Sequence, residues 1–145
     1  MSEINIQGLD IVTYNLHLES RSDDDMRLAQ LNEVLQHTTA YDPARLLILA
    51  GDLNLNASTP RVADLLARAG FRETVPTGQV ATTPRRRLLE AGHHIDWAFI
   101  RGSSKPTDGR VLNSVKASDH YPIFFELQLS EAEQKITSSS FMSLF

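Results

Sequence analysis

The feature that most limits the possible folds is a short, wholly apolar run that leads directly into polar residues. Leu46 to Ala50 contains no polar side chain, and Gly51-Asp52-Leu53-Asn54 follows at once. A run of this length and composition is typical of a strand that is covered on both faces of a sheet. The sequence therefore predicts a buried strand whose carboxyl end projects a carboxylate and an amide from a loop.

Three further segments are predicted as strands because apolar and β-branched residues alternate in them. They are Leu9 to Leu18, Ile95 to Ile100 and Tyr121 to Leu129. A short strand is also expected from Arg110 to Val115, after a turn from Lys105 to Gly109. Polar side chains lie at the ends of the longer strands, where a buried sheet opens to solvent.

Two helices are predicted between these strands. Ser22 is a suitable N-cap for the first, and the three Asp residues after it suit the positive end of a helix dipole, so a helix is expected from about Asp23 to Thr38. Thr59-Pro60 begins the second helix, which Gly70 ends. The order strand, helix, strand, helix and then several strands indicates an α/β domain with a mixed sheet.

The remaining segments are less regular. Glu73 to Gly92 is predicted as a long loop, which in a small domain is usually either functional or disordered. This loop contains Arg85-Arg86-Arg87, which either meets the phosphates of a substrate or is a solvated cluster. Residues 130–145 are predicted as a tail with an apolar tip, so that residues 1–129 form the folded domain.

The composition limits the classes of function. The net charge of −4 argues against an all-over basic surface that binds nucleic acid non-specifically, although a local basic rim is compatible with it. The absence of cysteine excludes a disulfide framework, a thiolate nucleophile and a zinc-thiolate site. No apolar run approaches the length of a membrane span, and the start of the chain lacks a signal-peptide pattern, so a cytoplasmic protein is expected.

Seven polar residues at predicted strand ends are the candidates for chemistry: Asn15, His17, Asp52, Asn54, Asp96, Asp119 and His120. Singly, most have an ordinary explanation, such as a turn or a hydrogen-bonded residue at the rim of a sheet. Asp96 is harder to explain in this way, because a carboxylate within an apolar strand is costly unless it meets a cation or several donors. His120 or His94 is the expected partner.

Together, these residues match the needs of phosphodiester hydrolysis, which are a divalent cation, a group that orients water, and donors for the developing charge. Asp119 can ligate a hard cation such as Mg²⁺, and Asp52 can orient and deprotonate water. Asp96 can hold an imidazole ring in one tautomer. Three side chains can donate to phosphate oxygens: His17, Asn54 and His120.

Four segments resemble, in this order, the later motifs of the endonuclease/exonuclease/phosphatase superfamily. They are Tyr14-Asn15-Leu16-His17-Leu18-Glu19-Ser20, Gly51-Asp52-Leu53-Asn54, Ile95-Asp96-Trp97 and Ser118-Asp119-His120. The His-Leu-Glu-Ser stretch is similar to tyrosyl-DNA phosphodiesterase and to bacterial relatives. The resemblance runs from about Leu9 to Leu129 and implies a hydrolase that depends on Mg²⁺ or Mn²⁺.

The resemblance also implies a role for most of the candidate residues. His17 would contact the scissile phosphate, and Asn54 would bind one of its oxygens, whereas Asn15 matches a family position without an assigned role. Asp52 would position or activate the attacking water, or share the metal. The remaining three would be Asp119 as a metal ligand, His120 as the group that stabilises the transition state, and Asp96 as the partner of His120.

The chain resembles only the second half of this family fold, which is a sandwich of two sheets with helices outside. It is therefore expected to form half of a four-layer α/β sandwich, with a mixed β-sheet and helices on one side. The first half supplies an Asn and a metal-binding Glu in the family. Glu3 and Asn5 do not replace them, because no helix or strand is predicted around them. The metal should therefore bind weakly.

Two functional interpretations follow. The first is a metal-dependent, nuclease-like hydrolase in truncated form, which acts on phosphodiesters or phosphomonoesters, with a small phosphodiester or a DNA end favoured over a long duplex. The second is a catalytically inactive fragment that binds or self-associates, because the sheet face that meets the other half in the family would be exposed. The expected partner is a second copy of the chain or the missing N-terminal half. The motif spacing disfavours a two-metal phosphoesterase of the calcineurin type.

Overall fold

The computed structural model describes residues 1–21, 23–76, 81–84 and 92–142. In chain order, its elements are β1 (Ser2–Ile6), β2 (Leu9–His17), α1 (Asp24–Thr38), β3 (Leu46–Asp52), α2 (Pro60–Arg68), β4 (Arg72–Glu73), β5 (Asp96–Arg101), β6 (Lys105–Val111), β7 (Ile123–Gln128) and α3 (Glu131–Met142). Five strands form one sheet in the order β1-β2-β3-β5-β4, and β6 and β7 form a second sheet of two strands.

The five-stranded sheet is mixed, as predicted. β2 and β3 are parallel, and α1 provides the crossover between them, whereas the other strand pairs are antiparallel. The carboxyl ends of β2 and β3 therefore lie at the same edge of the sheet as the amino end of β5.

The first two helices cover one face of this sheet. α1 begins where predicted, but its N-cap is Asp23 and not the predicted Ser22, which lies outside the described residues. The side chain of Asp23 accepts a hydrogen bond from the backbone N–H of Met26 at 3.1 Å. α2 begins at Pro60, as predicted. Both helices pack their apolar sides into one core with alternate side chains of the strands, among them Val12, Tyr14, Leu47, Leu49, Trp97 and Phe99.

The opposite face carries a smaller apolar cluster. Leu9, Ile11 and Leu46 are buried there, and they pack against Leu127 and Leu129 from the end of the second sheet. Because side chains alternate along a strand, this cluster and the helix-covered core lie on opposite faces of the same sheet. The predicted layer of a mixed sheet with helices on one side is confirmed for α1 and α2.

Four predictions about the ends of the chain and the loops were wrong. The first residues form β1, so Glu3 and Asn5 do lie in a strand. This strand pairs with β2 through a tight turn in which Gln7 and Gly8 both have positive φ, of 53° and 83°. Glu73, assigned to the long loop, lies in the short strand β4 beside β5.

The predicted turn from Lys105 to Gly109 is part of a strand. β6 runs through this segment, and its register with β7 shifts between Thr107 and Arg110. Asp108, with a φ of 48°, lies at this irregularity, so the Asp-Gly pair forms a bulge and not a chain reversal.

The segment from residue 131 to residue 142, predicted as part of a tail, is the helix α3. Ser130 caps it: its backbone N–H donates to Glu133 Oε2 at 2.7 Å, and its hydroxyl accepts from the backbone N–H of Glu133 at 3.4 Å. Ser104 also donates to this buried carboxylate at 2.9 Å, which attaches α3 to the sheet. Within the described residues, no helix combines the length and the apolar composition that a membrane span requires.

Candidate active site

Three candidate residues meet at one end of the sheet, where β2 and β3 end and β5 begins, because the strand register places them side by side. His17 is opposite Asp52 in the parallel pair β2 and β3, and Asp52 is opposite Asp96 in the antiparallel pair β3 and β5. The alternation of side chains puts all three on the face that α1 and α2 leave uncovered. Residues that are up to 79 positions apart in the sequence therefore form one polar row.

His17 and Asp52 form the open side of this row. The distance from His17 Nε2 to Asp52 Oδ2 is 3.9 Å, which is too long for a hydrogen bond. The side chain of His17 is 74% exposed, whereas that of Asp52 is 18% exposed. A ligand that approaches from solvent can therefore reach both the imidazole and the carboxylate.

Asn54 holds the loop that follows Asp52. It has a left-handed φ of 50°, and its backbone N–H donates to Asp52 Oδ1 at 2.8 Å. Its side-chain Nδ2 donates to the backbone carbonyl of Leu18 at 3.0 Å. One N–H of the amide thus joins the loops after β2 and β3, and the second N–H can donate to a further acceptor.

Asp96 and His120 form the closest pair of side chains in the site. His120 Nδ1 lies 2.9 Å and 3.0 Å from the two carboxylate oxygens of Asp96. Of the two histidines that the sequence offered, His120 is thus the partner, and His94 stacks on the ring of Trp97. The carboxylate keeps the Nδ1 proton on the imidazole and directs Nε2 away from the pair.

The charge balance around His120 raises its pKa. Partial burial lowers this pKa, but the hydrogen bond and the charge of Asp96, followed by the charges of Asp52 and Asp119, together outweigh it. The pKa of His94 is lowered by burial, which Asp96 only partly offsets. The imidazolium form of His120 therefore extends to higher pH than that of an ordinary histidine.

Thr82 is a positioning residue that the sequence did not indicate. Its buried hydroxyl accepts hydrogen bonds from the backbone N–H groups of Ile95 and Asp96, each at 3.1 Å. Its backbone carbonyl accepts from the N–H of Tyr121 at 2.7 Å. Thr82 thus connects the start of β5 with the residue after His120, and so sets the distance between the two members of the pair.

Three side chains of the site are arranged so that they can hold a divalent metal. Ligand atoms of Asp52, Asp96 and His120 all lie within 4.8 Å of one another. Two carboxylates and one imidazole are a suitable donor set for a divalent cation. Asp96 and His120 are hydrogen-bonded to each other, however. Asp52 is therefore the one of the three that is most available to bind a cation.

The other predicted site residues lie around this group. Asp119, the predicted metal ligand, is exposed, and its Oδ1 lies 3.4 Å from the hydroxyl of Ser118. It is next to His120 in the chain but does not belong to the group of three. Asn15 is exposed on β2, two residues before His17 and on the same face. Arg85, Arg86 and Arg87 lie outside the described residues.

Glu3 and Asn5 do not contribute to the site. Glu3 accepts hydrogen bonds from Tyr41 at 3.0 Å and from Arg45 at 3.2 Å, and Asn5 donates to Asp10 at 2.6 Å. Although both lie in β1, Asn5 contacts the amino end of β2, and Glu3 contacts the segment between α1 and β3. Both therefore lie away from the row of His17, Asp52 and Asp96.

Comparison with solved structures identifies the fold. The crystal structure of an endonuclease/exonuclease/phosphatase from Beutenbergia cavernae is 23% identical, with a TM-score of 0.68 over 88% of this chain and 38% of that one. D. rerio TDP2, complexed with single-strand DNA product, is 18% identical, with a TM-score of 0.67 over 88% and 60%. Staphylococcus aureus beta toxin with bound magnesium ions is 16% identical, with a TM-score of 0.58 over 86% and 52%.

These likenesses show that the chain has the endonuclease/exonuclease/phosphatase fold. It spans between 38% and 60% of the length of the three solved chains, so it corresponds to a part of that fold. No family model and no curated protein sequence matches it. The fold therefore rests on the arrangement of the elements, and the chemistry rests on the site described above.

Proposed function

Because the chain has the endonuclease/exonuclease/phosphatase fold, we propose that it is a nuclease-like hydrolase of phosphate esters that depends on a divalent metal. The observation that carries this proposal is the convergence of Asp52, Asp96 and His120, with ligand atoms within 4.8 Å of one another, beside the exposed His17. We assign the hydrolase site to residues 1–129 and a cytoplasmic location to the protein.

The protein's own residues then divide the work as follows. Asp52 orients the attacking water, since its carboxylate is partly exposed and fixed by the N–H of Asn54. His120, held by Asp96, donates from Nε2 to the developing charge on the phosphate. His17 contacts a phosphate oxygen from the open side, where it helps the leaving group.

A divalent cation, Mg²⁺ or Mn²⁺, would be held by Asp52 and Asp119 and would neutralise charge on the phosphate. Two carboxylates are a small donor set for a hard cation, which usually has six or more oxygen ligands including water. We therefore propose that this chain binds the metal weakly, and that a second copy of the chain or an N-terminal half of the fold supplies further ligands.

The proposed substrate is a phosphodiester, with a DNA end as the favoured form. The solved D. rerio TDP2 is complexed with single-strand DNA product, and the fold of this chain matches that structure. The row of His17, Asp52 and Asp96 lies at the end of the sheet, where β2 and β3 terminate. The exposed imidazole of His17 makes this end accessible to a single DNA strand. The net charge of −4 disfavours extended contact with the backbone of a long duplex.

The test of this function is hydrolysis of bis(p-nitrophenyl) phosphate with Mg²⁺ or Mn²⁺ added. We expect release of p-nitrophenol that EDTA abolishes and that Asp52→Ala reduces to the uncatalysed rate, because water is no longer oriented. Asp64→Ala removes an exposed carboxylate on α2 and serves as the matched control with unchanged activity. Equal rates for the wild type and Asp52→Ala would remove the hydrolase assignment.

We also propose that the chain self-associates through β1. Ile4 and Ile6 lie opposite Ile11 and Leu9, so they extend the apolar cluster on the face away from α1 and α2, and they are 42% and 51% exposed. β1 is also an edge strand of the sheet, and its outer side pairs with no other strand of the described residues. Apolar side chains beside an open edge favour pairing with a second copy of the chain.

Size-exclusion chromatography with light scattering at tens of micromolar protein tests this association. We expect the mass of two chains for the wild type and of one chain for the double variant Ile4→Glu/Ile6→Glu, because buried charge at the interface is costly. Met26→Glu changes a comparably exposed apolar residue on α1 and should remain a dimer. A wild-type protein with the mass of a single chain would contradict the proposal.

A further inference from the structure

A cavity lies at the end of the sheet opposite the candidate active site. It has a volume of about 420 Å³ and lies between the C-terminal ends of α1 and α2. Arg101, the last residue of β5, lines it, whereas Asp96, the first residue of the same strand, belongs to the active site. Five residues of extended strand separate the two by roughly 17 Å. The cavity is therefore distinct from the active site.

Three arginines line this cavity: Arg68, Arg72 and Arg101. We call it the arginine pocket. Arg68 and Arg72 are exposed, so their guanidinium groups can reach a ligand. Arg72 donates to the backbone carbonyls of Gly102 and Ser104, both at 2.8 Å, which fixes its position and leaves other N–H groups available.

The third guanidinium, that of Arg101, is buried beneath the pocket. It donates to the Thr38 carbonyl at 2.9 Å, to the Thr38 hydroxyl at 3.3 Å and to the Tyr41 carbonyl at 3.3 Å. Its Nε has no hydrogen-bond partner among the described residues. Burial also lowers the pKa of Arg101, and the negative charges of Tyr14 and Asp42 only partly offset this effect.

The charges of the pocket do not balance. Within the described residues, none of the three arginines forms an ion pair with a carboxylate within 4.0 Å. The C-terminal ends of α1 and α2 each contribute about half a negative charge. The two helix ends thus offset about one of the three positive charges, and Asp42, beyond ion-pair distance, offsets part of another, so the described part of the pocket keeps a net positive charge. A pocket of this kind attracts a dianion.

We propose that the arginine pocket binds an organic phosphate monoester. Such a group carries nearly two negative charges at neutral pH, and guanidinium groups recognise it with paired N–H donors. Arg68 and Arg72 contact the phosphate, and Arg101 adds charge from below. The volume of about 420 Å³ lies within the usual range for small-molecule sites and exceeds the need of a free phosphate ion.

The test is an NMR titration of the labelled full chain with phenyl phosphate, and in parallel with inorganic phosphate, in EDTA so that metal chemistry does not interfere. The backbone amides of Gly70 and Gly102 lie in the pocket lining and report on it, whereas the amides of Asn54 and His120 report on the active site. We expect saturable chemical-shift changes at the amides of Gly70 and Gly102. Phenyl phosphate should bind more tightly than inorganic phosphate.

Arg68→Glu is the decisive variant, because no side-chain contact of Arg68 is needed for the described fold. We expect it to weaken binding about tenfold or more, with a melting temperature lowered by only a few degrees because a carboxylate then lies in the last turn of α2. Lys135→Glu makes the same charge change on α3 and should leave the affinity within about twofold of the wild type. Shifts confined to Asn54 and His120, equal affinity in Arg68→Glu, or absence of saturable binding would each overturn the proposal.

Discussion

Replacing Gly51 with alanine is expected to lower the free energy of unfolding by roughly 3 kcal/mol or more. Gly51 has a φ of +137°, which residues with a Cβ rarely adopt. A Cβ added there would lie 2.0 Å from the backbone carbonyl oxygen of Leu16 on the adjacent strand. Because the obstacle is backbone in a parallel strand pair, β2 and β3 must separate at the residues that carry His17 and Asp52.

Gly70→Ala is the matched control for this prediction. Gly70 also has a positive φ, of +80°, but the nearest atoms to an added Cβ belong to the flexible side chain of Arg101 at 3.4 Å. This variant should cost only the conformational strain, on the order of 1 kcal/mol. Urea denaturation of both variants measures the difference. If both variants lost the same free energy of unfolding, the close approach of β2 and β3 at Gly51 would add nothing to the cost of Gly51→Ala.

The part of the fold that the sequence predicted is the part that local patterns determine. The apolar run of β3 and the alternation of β2 and β5 each specify a strand without reference to the rest of the chain. Once these strands are adjacent, their register brings His17, Asp52 and Asp96 to one edge. The core of the candidate site thus follows from periodicity together with the strand order of the fold.

The missed elements depend on contacts that local patterns do not show. All residues of β1 are exposed, and its alternation is limited to Ile4 and Ile6, which is too short to indicate a strand. The strand exists because the turn at Gln7-Gly8 folds it onto β2. The role of Thr82 depends on backbone groups more than ten residues away. α3 is a different case, because Ser130 and Glu133 have the spacing of a capping box, a signal that was present in the sequence.

Asp96→Asn and His120→Asn are each expected to reduce metal-dependent hydrolysis by about 10² to 10⁴-fold. The two groups act as one unit, since His120 Nδ1 bonds both oxygens of Asp96. The double variant should therefore be no slower than the slower single variant, instead of showing the product of the two losses. Full additivity would mean that the two residues contribute to hydrolysis independently.

The pH dependence of stability and of activity also tests the pair of Asp96 and His120. A pair with a purely structural role would not shift the pH dependence of activity. The raised pKa of His120 means that its imidazolium form adds stability that is fully present below the ordinary pKa of 6.5 and is lost as pH rises through the higher, folded value. Metal-free wild type should thus exceed Asp96→Asn in stability by more at pH 6 than at pH 9. With metal, activity that depends on the imidazolium should fall over the same rise in pH, and Asp96→Asn should move this fall to lower pH. An activity that instead increases through this range would assign the neutral imidazole, as a base or metal ligand, to the reaction.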